Sequence, residues 1–249
     1  MIATGTKPEG ARSEQEASRR VRSMFGRVAR RYDFANHLLS ANVDRYWRNR
    51  AVARVRDILD RPGARVLDLA CGTGDLLIAL ERAAGRRLIG GDFCHPMLTG
   101  AQTKLRRQGL GSVLIESDAL SLPFPDASLD LITIAFGYRN LANYRAGLTE
   151  MRRVLRPGGA LAILEFTQPP NAAFAALYNW YSRTILPAIG GAISGVPEAY
   201  KYLPESVRRF PGAPELAGAM RECGFDPVEW EYLTFGIAAL HVGRVASTA

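Results

Sequence analysis

Apolar residues along this chain recur at two spacings, and the switches between them mark out strands and helices. Val66-Leu67-Asp68-Leu69-Ala70 is a short apolar run carrying one acid, the pattern of a buried parallel strand. From Asp75 onward, Leu76, Leu77, Ala79 and Leu80 follow at helical spacing. The alternation continues with strands at 87–92, 113–117, 129–135 and 160–166. Helices are expected over about 96–107 and through Leu148, Met151, Val154 and Leu155, the second stopped by Pro157-Gly158-Gly159. Strands alternating with helices predict an α/β, doubly wound, mostly parallel sheet. A helix over 213–222 and two strands near 225–232 and 235–243 predict a C-terminal antiparallel hairpin.

The segments flanking this alternation read differently. Residues 1–16 are small, polar and charged, and are expected to be unordered. Residues 17–63 read as a helical cap. In it Val21, Met24, Phe25, Val28 and Ala29 recur at helical spacing opposite a row of arginines, giving a basic amphipathic helix. Asp44 is placed to cap a further helix through Tyr46, Trp47, Val52, Val55 and Ile58. The remaining residues, 64–249, form the main domain, with a helical lid segment at about 168–212. In that lid Phe174, Leu177, Tyr178, Tyr181 and Ile185 make one stripe, which reads either as core or as the apolar side of a cover.

Charge sharpens this division. The net charge is +8, and residues 1–65 hold fifteen Lys/Arg against seven Asp/Glu, so the excess lies wholly in the N-terminal segment. A solvated helix face explains it, and so does attraction to an anionic surface such as membrane headgroups. No stretch is long and apolar enough to predict a membrane span, and no signal-peptide core is seen at the start. Three scattered cysteines and three histidines argue for a reducing, cytoplasmic setting and against a disulfide framework or a metal site.

The candidate chemistry centres on Asp68-Leu69-Ala70-Cys71-Gly72-Thr73-Gly74-Asp75. A strand, a glycine turn and a helix start bring free N–H groups to a ligand, and glycine lets the backbone approach closely. A dinucleotide site would have a third glycine where Leu77 stands, and it does not call for an acid inside the strand. Asp92 closes the next strand twenty residues after Gly72, placed to accept two ribose hydroxyls.

The turn resembles motif I of class I S-adenosylmethionine (SAM) methyltransferases, which have a Rossmann-like sheet. The wider set is narrower in its likeness: Tyr32-Asp33, Arg45-Tyr46-Trp47, Phe136-Gly137-Tyr138-Arg139-Asn140, Leu155-Arg156-Pro157-Gly158-Gly159 and Tyr200-Lys201-Tyr202-Leu203-Pro204. Together these are similar to the ubiquinone/menaquinone C-methyltransferase family, often called UbiE. The resemblance implies SAM-dependent methylation of a ring carbon on a prenylated quinol, demethylmenaquinol or the benzoquinol precursor of ubiquinone, with demethylmenaquinol preferred. It implies SAM contacts at Asp68, Gly72, Thr73, Gly74, Asp92, Phe93 and the pair Asp118-Ala119. At Ala135 relatives often carry a serine, so only backbone can serve. Substrate contacts are implied at Tyr138, Tyr178, Tyr181, Tyr200, Tyr202 and Arg208. Asp44 stands where many relatives have histidine, so no role of that histidine carries over.

Methylating carbon requires loss of the neighbouring hydroxyl proton. Arg139 is the candidate to stabilise the quinolate, because guanidinium stays protonated, and Asn140 is the candidate hydrogen-bond donor to the quinol oxygen. Tyr32, Asp33, His37 and His241 stand as alternative proton acceptors beside a water relay, with Tyr32 otherwise lining the pocket. A membrane-soluble substrate implies transient contact with the anionic inner face of the cytoplasmic membrane, and a homodimer is left open. The contrary reading, an RNA-binding protein or RNA methyltransferase, lacks aromatic residues interleaved with the basic ones, so no nucleic-acid partner is expected.

Overall fold

The computed structural model describes residues 4–6, 8, 10–29, 42–176, 178, 180, 181, 184 and 197–247, without the side chains of 28 and 197–201. Seven short apolar runs pair into one sheet of order β3-β2-β1-β4-β5-β7-β6. They are β1 (Val66–Leu69), β2 (Ile89–Asp92), β3 (Val113–Glu116), β4 (Leu129–Ala135), β5 (Leu155–Phe166), β6 (Val228–Leu233) and β7 (Ala238–Arg244). The first five run parallel, with β1 flanked by β2 and β4. The expected hairpin forms, and β7 enters antiparallel between β5 and β6. The strand order therefore reverses at β1, and the crevice beyond the carboxyl ends of β1 and β4 is where ligands collect in such sheets.

Both faces of the sheet are covered, which is why the central strands tolerate almost no polar residue. One core gathers Leu67, Leu69, Ile132, Ile134, Leu161 and Ile163 under α6 (Tyr144–Val154) and α8 (Ala213–Glu222). The other gathers Leu131, Ala160 and Ala162 under α2 (Val43–Arg54), α3 (Arg56–Leu59), α4 (Asp75–Ala84) and α5 (His95–Arg107). A third, smaller cluster joins Trp47 and Ala51 of α2 to Phe136, Leu164 and Leu240 at the carboxyl edge.

Three expectations are revised at the amino-terminal side and in β5. Helix α1 (Glu14–Val28) starts inside the stretch read as unordered, because Ser13 accepts a hydrogen bond from the Glu16 N–H and caps it. Residues 4–6 are also held, since Thr6 N–H donates to the Leu141 carbonyl and Tyr144 N–H to that of Thr4. Asp44 is not a cap. Asn42 takes that position with φ 63°, and Asp44 turns inward to an ion pair with Arg48 one helical turn on. Strand β5 opens at Leu155, where Leu155 pairs with Leu129 and a register shift absorbs Pro157-Gly158-Gly159 before Ala160 meets Leu131. Helix α7 (Pro197–Arg209) falls within the segment read from sequence as a helical lid.

Candidate active site

The crevice is built by strained backbone. Ala70 after β1 and Phe136 after β4 both adopt left-handed φ, 51° and 58°, although neither is glycine. Such conformations cost roughly 1–3 kcal/mol each and gather at functional sites. Gly72 continues the turn at φ 55°, and a Cβ placed there would meet nothing within 4 Å, so this backbone faces open cavity. Gly74 has a different job. Its φ is 88° and a Cβ would sit 3.2 Å from that of Ala101, so it packs the turn against α5 and does not line the cavity.

A cavity of about 350 Å³ opens over this turn. Asp68 reaches it from β1, buried to 1% exposure. Its Oδ1 accepts the Thr133 hydroxyl at 2.7 Å, and its Oδ2 is buried without a hydrogen-bond partner. Desolvation pushes its pKa up to about 7 against the opposing pull of the Thr133 hydroxyl and the Arg48 charge. Asp92 also lines the cavity; one oxygen accepts the Gly72 N–H and the other the Cys94 N–H, both at 2.8 Å. Burial raises its pKa to about 6, and those N–H groups oppose the rise. The Thr73 hydroxyl accepts from Lys104 at 3.2 Å, and Lys104 is ion-paired to Asp75 at 2.5 Å. Phe93 and Ala135 line the cavity as expected. Asp118 and Ala119 do not reach its described lining; Asp118 is exposed and binds the Leu120 N–H.

Beyond the turn the walls become aromatic. Trp47, Phe136 and Phe166 pack with ring centroids 4.6–5.9 Å apart, Arg48 lies 5.8 Å over Phe136 and Arg139 lies 5.4 Å over Phe166. Arg139 is buried. It pairs with Glu165 at 2.8 Å, donates to the Phe136 carbonyl at 2.5 Å and reaches Ser206 Oγ at 3.3 Å. Asn140 lines the cavity, and its Oδ1 accepts the Tyr202 hydroxyl at 3.0 Å. Since that proton is committed, the 2.7 Å contact to Tyr202 makes Thr6 the donor. Tyr178, Tyr181 and Arg208 line the cavity too, and desolvation carries Tyr178 to about 12 and raises Tyr202, so both remain protonated donors near neutrality.

Two more sequence-predicted residues are displaced. Tyr138 is wholly buried away from the cavity, stacked on Tyr144 at 5.4 Å with its hydroxyl donating to the Tyr144 carbonyl. Tyr138–Asn140 form a single 3₁₀ turn, so neighbouring side chains point about 120° apart and Tyr138 cannot share a face with Arg139. His241 lies in β7 between β5 and β6, its Nε2–H donating to the Ala213 carbonyl at 2.9 Å. Burial lowers its pKa to about 4, and it is not a cavity residue. Tyr32, Asp33 and His37 and the side chain of Tyr200 lie outside the described residues.

Some cavity residues escaped sequence reasoning. Arg48 and Asp44 carry the i,i+4 spacing of an ion pair, which was the available signal. Arg48 also bridges to Asp75 at 3.4 Å. Glu165, which holds Arg139 from outside the cavity lining, had the same signal as Asp92, an acid at the carboxyl end of an apolar strand. Thr167, whose buried Oγ1 has no partner, follows β5 with no sequence cue.

A model of the ubiE/COQ5 methyltransferase family matches residues 13–245. The chain belongs to that family. It is 50% identical to the demethylmenaquinone methyltransferase of Thermus thermophilus, across 88% of this chain and 99% of that protein. It is 46% identical to the demethylmenaquinone methyltransferase of Deinococcus radiodurans, across 98% and 99%. Among solved structures, a SAM-dependent methyltransferase from Aquifex aeolicus shares the fold at TM-score 0.54 and 22% identity, over 77% of this chain and 87% of that one. The [4+2]-cyclase SpnF shares it at TM-score 0.61 and 19% identity, over 80% and 81%. This is therefore a class I methyltransferase, and its cofactor is SAM. The donor set fits that molecule: the unpartnered Asp68 oxygen suits its ammonium group, Asp92 its ribose hydroxyls, and the bare Gly72 backbone its close approach.

Proposed function

We propose that this methyltransferase acts on a ring carbon of a prenylated naphthoquinol, the reduced form of the demethylmenaquinone in its relatives' names. The observation that carries the reading is the continuity of one cavity. It runs from the Asp68–Gly72 turn, past the Trp47–Phe136–Phe166 rings, to Tyr178 and Tyr181 on the lid. A polar cofactor end thus opens directly into an aromatic chamber suited to a flat ring with an apolar tail.

Bound SAM supplies an electrophilic methyl with its own leaving group, so the chain must align the ring carbon, favour the quinolate and exclude water. The aromatic walls hold the ring and keep the chamber dry. Asn140 spends its carbonyl oxygen on Tyr202, which leaves its amide N–H groups, only loosely engaged at 3.5 Å with the Phe136 carbonyl, to donate to the quinol oxygen. Arg139 is charge-balanced by Glu165, so it acts through fixed N–H direction more than through net charge. Among the described cavity carboxylates, Asp44 and Asp75 are ion-paired with Arg48 and Lys104 and Asp68 and Asp92 serve the cofactor, so the departing proton is assigned to a water relay at the cavity mouth, with Tyr32, Asp33 and His37, outside the described residues, as the alternatives. Supplying demethylmenaquinol reduced and oxidised tests this: a single methyl gain in the reduced ring alone is expected, and equal methylation of both forms would refute it.

In this reading the substrate's apolar tail calls for contact with the cytoplasmic face of the membrane. None of the described helices is long and apolar enough to cross a bilayer, so contact is peripheral in this reading. Helix α1 offers charge but little grease, because Ala17, Val21 and Met24 are buried against its own domain. Its arginines are partly committed as well, Arg20 to Glu16 and Arg22 to Glu116.

A further inference from the structure

We infer that the loop Thr234-Phe235-Gly236 is a membrane-insertion spike at the cavity mouth, and that the lipid bilayer surface is its partner. All three residues hold left-handed φ, 48°, 56° and 90°, two of them without the licence of glycine. The strain is maintained by its surroundings: the Trp47 indole donates to Thr234 Oγ1 at 2.8 Å, and Gly236 lies so close to Pro169 and Pro170 that a Cβ would come within 2.5 Å of Pro170 Cδ. What this strain displays is an apolar ring in water, since Phe235 is 80% exposed. A core residue would not need such a conformation and a solvent-facing one would not be phenylalanine.

The position singles out the occupant. Thr234 and Ile237, on either side of the spike, both line the cavity. Phe235 touches Phe174 of the lid at 5.5 Å, and six residues further along the same segment Trp180 is 57% exposed. The same cavity is lined by Arg208, which is exposed and makes no ion pair among the described residues. Aromatic rings with an exposed arginine, set around the mouth of an apolar cavity, complement an anionic headgroup layer over acyl chains. The docked cavity would then receive a substrate without its passing through water. This deepens the membrane reading proposed above and rests on it for its purpose, though not for its test.

The test is binding of the full chain to phosphatidylglycerol/phosphatidylethanolamine vesicles, measured by sedimentation with no quinol present. Phe235→Asn removes the ring while asparagine tolerates the left-handed backbone, so folding is preserved. Partitioning is expected to weaken on the order of tenfold for loss of one inserted phenyl group. Val113→Thr, at another exposed apolar residue on the opposite sheet edge, should leave it unchanged. Phe235→Trp should bind normally, and the fluorescence of the indole it introduces should be quenched by brominated acyl chains. Unchanged binding of Phe235→Asn, or an indole signal in Phe235→Trp insensitive to those chains, would overturn the inference. So would self-association abolished by Phe235→Asn, which would make a second copy the partner. Failure of quinol methylation with vesicle binding intact would instead count against the substrate alone.

Discussion

Replacing Asp68 by asparagine separates what this acid does for the fold from what it does for the cofactor. The carboxylate is buried, one oxygen is held by Thr133 and the other has no partner. Burial raises its pKa from an ordinary 3.8 to about 7, so the native chain binds this proton more tightly than the unfolded chain. Stability is thus lost as pH rises from about 4 to 7, and the full penalty, roughly 4 kcal/mol at most, stands above that range. Asparagine keeps the acceptor for Thr133 and cannot ionise. The ligand-free Asp68→Asn chain should therefore melt higher than wild type at pH 8 and alike at pH 4. Cofactor binding should move the other way, because a hydrogen bond to a charged group contributes about 1.5–3 kcal/mol. That corresponds to a SAM Kd raised roughly 10- to 150-fold. Calorimetric titration and thermal melts at the two pH values read both arms. Unaltered SAM affinity, or a ligand-free chain less stable at pH 8, would refute the reasoning.

Other substitutions test neighbouring parts of the site. Tyr138→Phe should cost about 1 kcal/mol for its bond to the Tyr144 carbonyl and leave kcat/KM unchanged, whereas a raised KM would restore it as a substrate contact. Arg139→Lys cannot hold Glu165, the Phe136 carbonyl and Ser206 from one ammonium, so kcat should fall on the order of 100-fold with SAM Kd within about threefold; an unchanged kcat contradicts its role. Tyr181→Asp, measured with long- and short-tailed quinols, should harm the long-tailed reaction more, and equal loss would remove the lid from tail binding.

The parallel sheet and its cofactor turn were legible because both rest on local pattern: an apolar strand, glycines at the turn and a helix periodicity starting at Asp75. Asp68 and Asp92 were legible because an acid within a buried strand or at its end has few other reasons to be there. The same logic applied to Glu165 would have exposed the partner that neutralises Arg139. Tyr138 was misplaced because its direction depends on a 3₁₀ turn that the letters Phe-Gly-Tyr-Arg-Asn do not announce. In the lid stripe Tyr178 and Tyr181 face the cavity and Phe174 meets Phe235, whereas Leu177 and Ile185 lie outside the described residues. The hold on residues 4–6 was invisible, since it consists of backbone bonds to Leu141 and Tyr144 far along the chain. Strain at Ala70, Phe136 and Phe235 was equally hidden, because none is a residue that advertises a left-handed backbone.

The measurement closest to the central claim is methyl transfer from labelled SAM to two reduced substrates offered together, a prenylated demethylnaphthoquinol and a prenylated methoxybenzoquinol. Label is expected in the naphthoquinol ring in clear excess. Label chiefly in the benzoquinol would contradict the substrate assignment, and label in neither, with SAM still bound, would contradict quinol methylation itself.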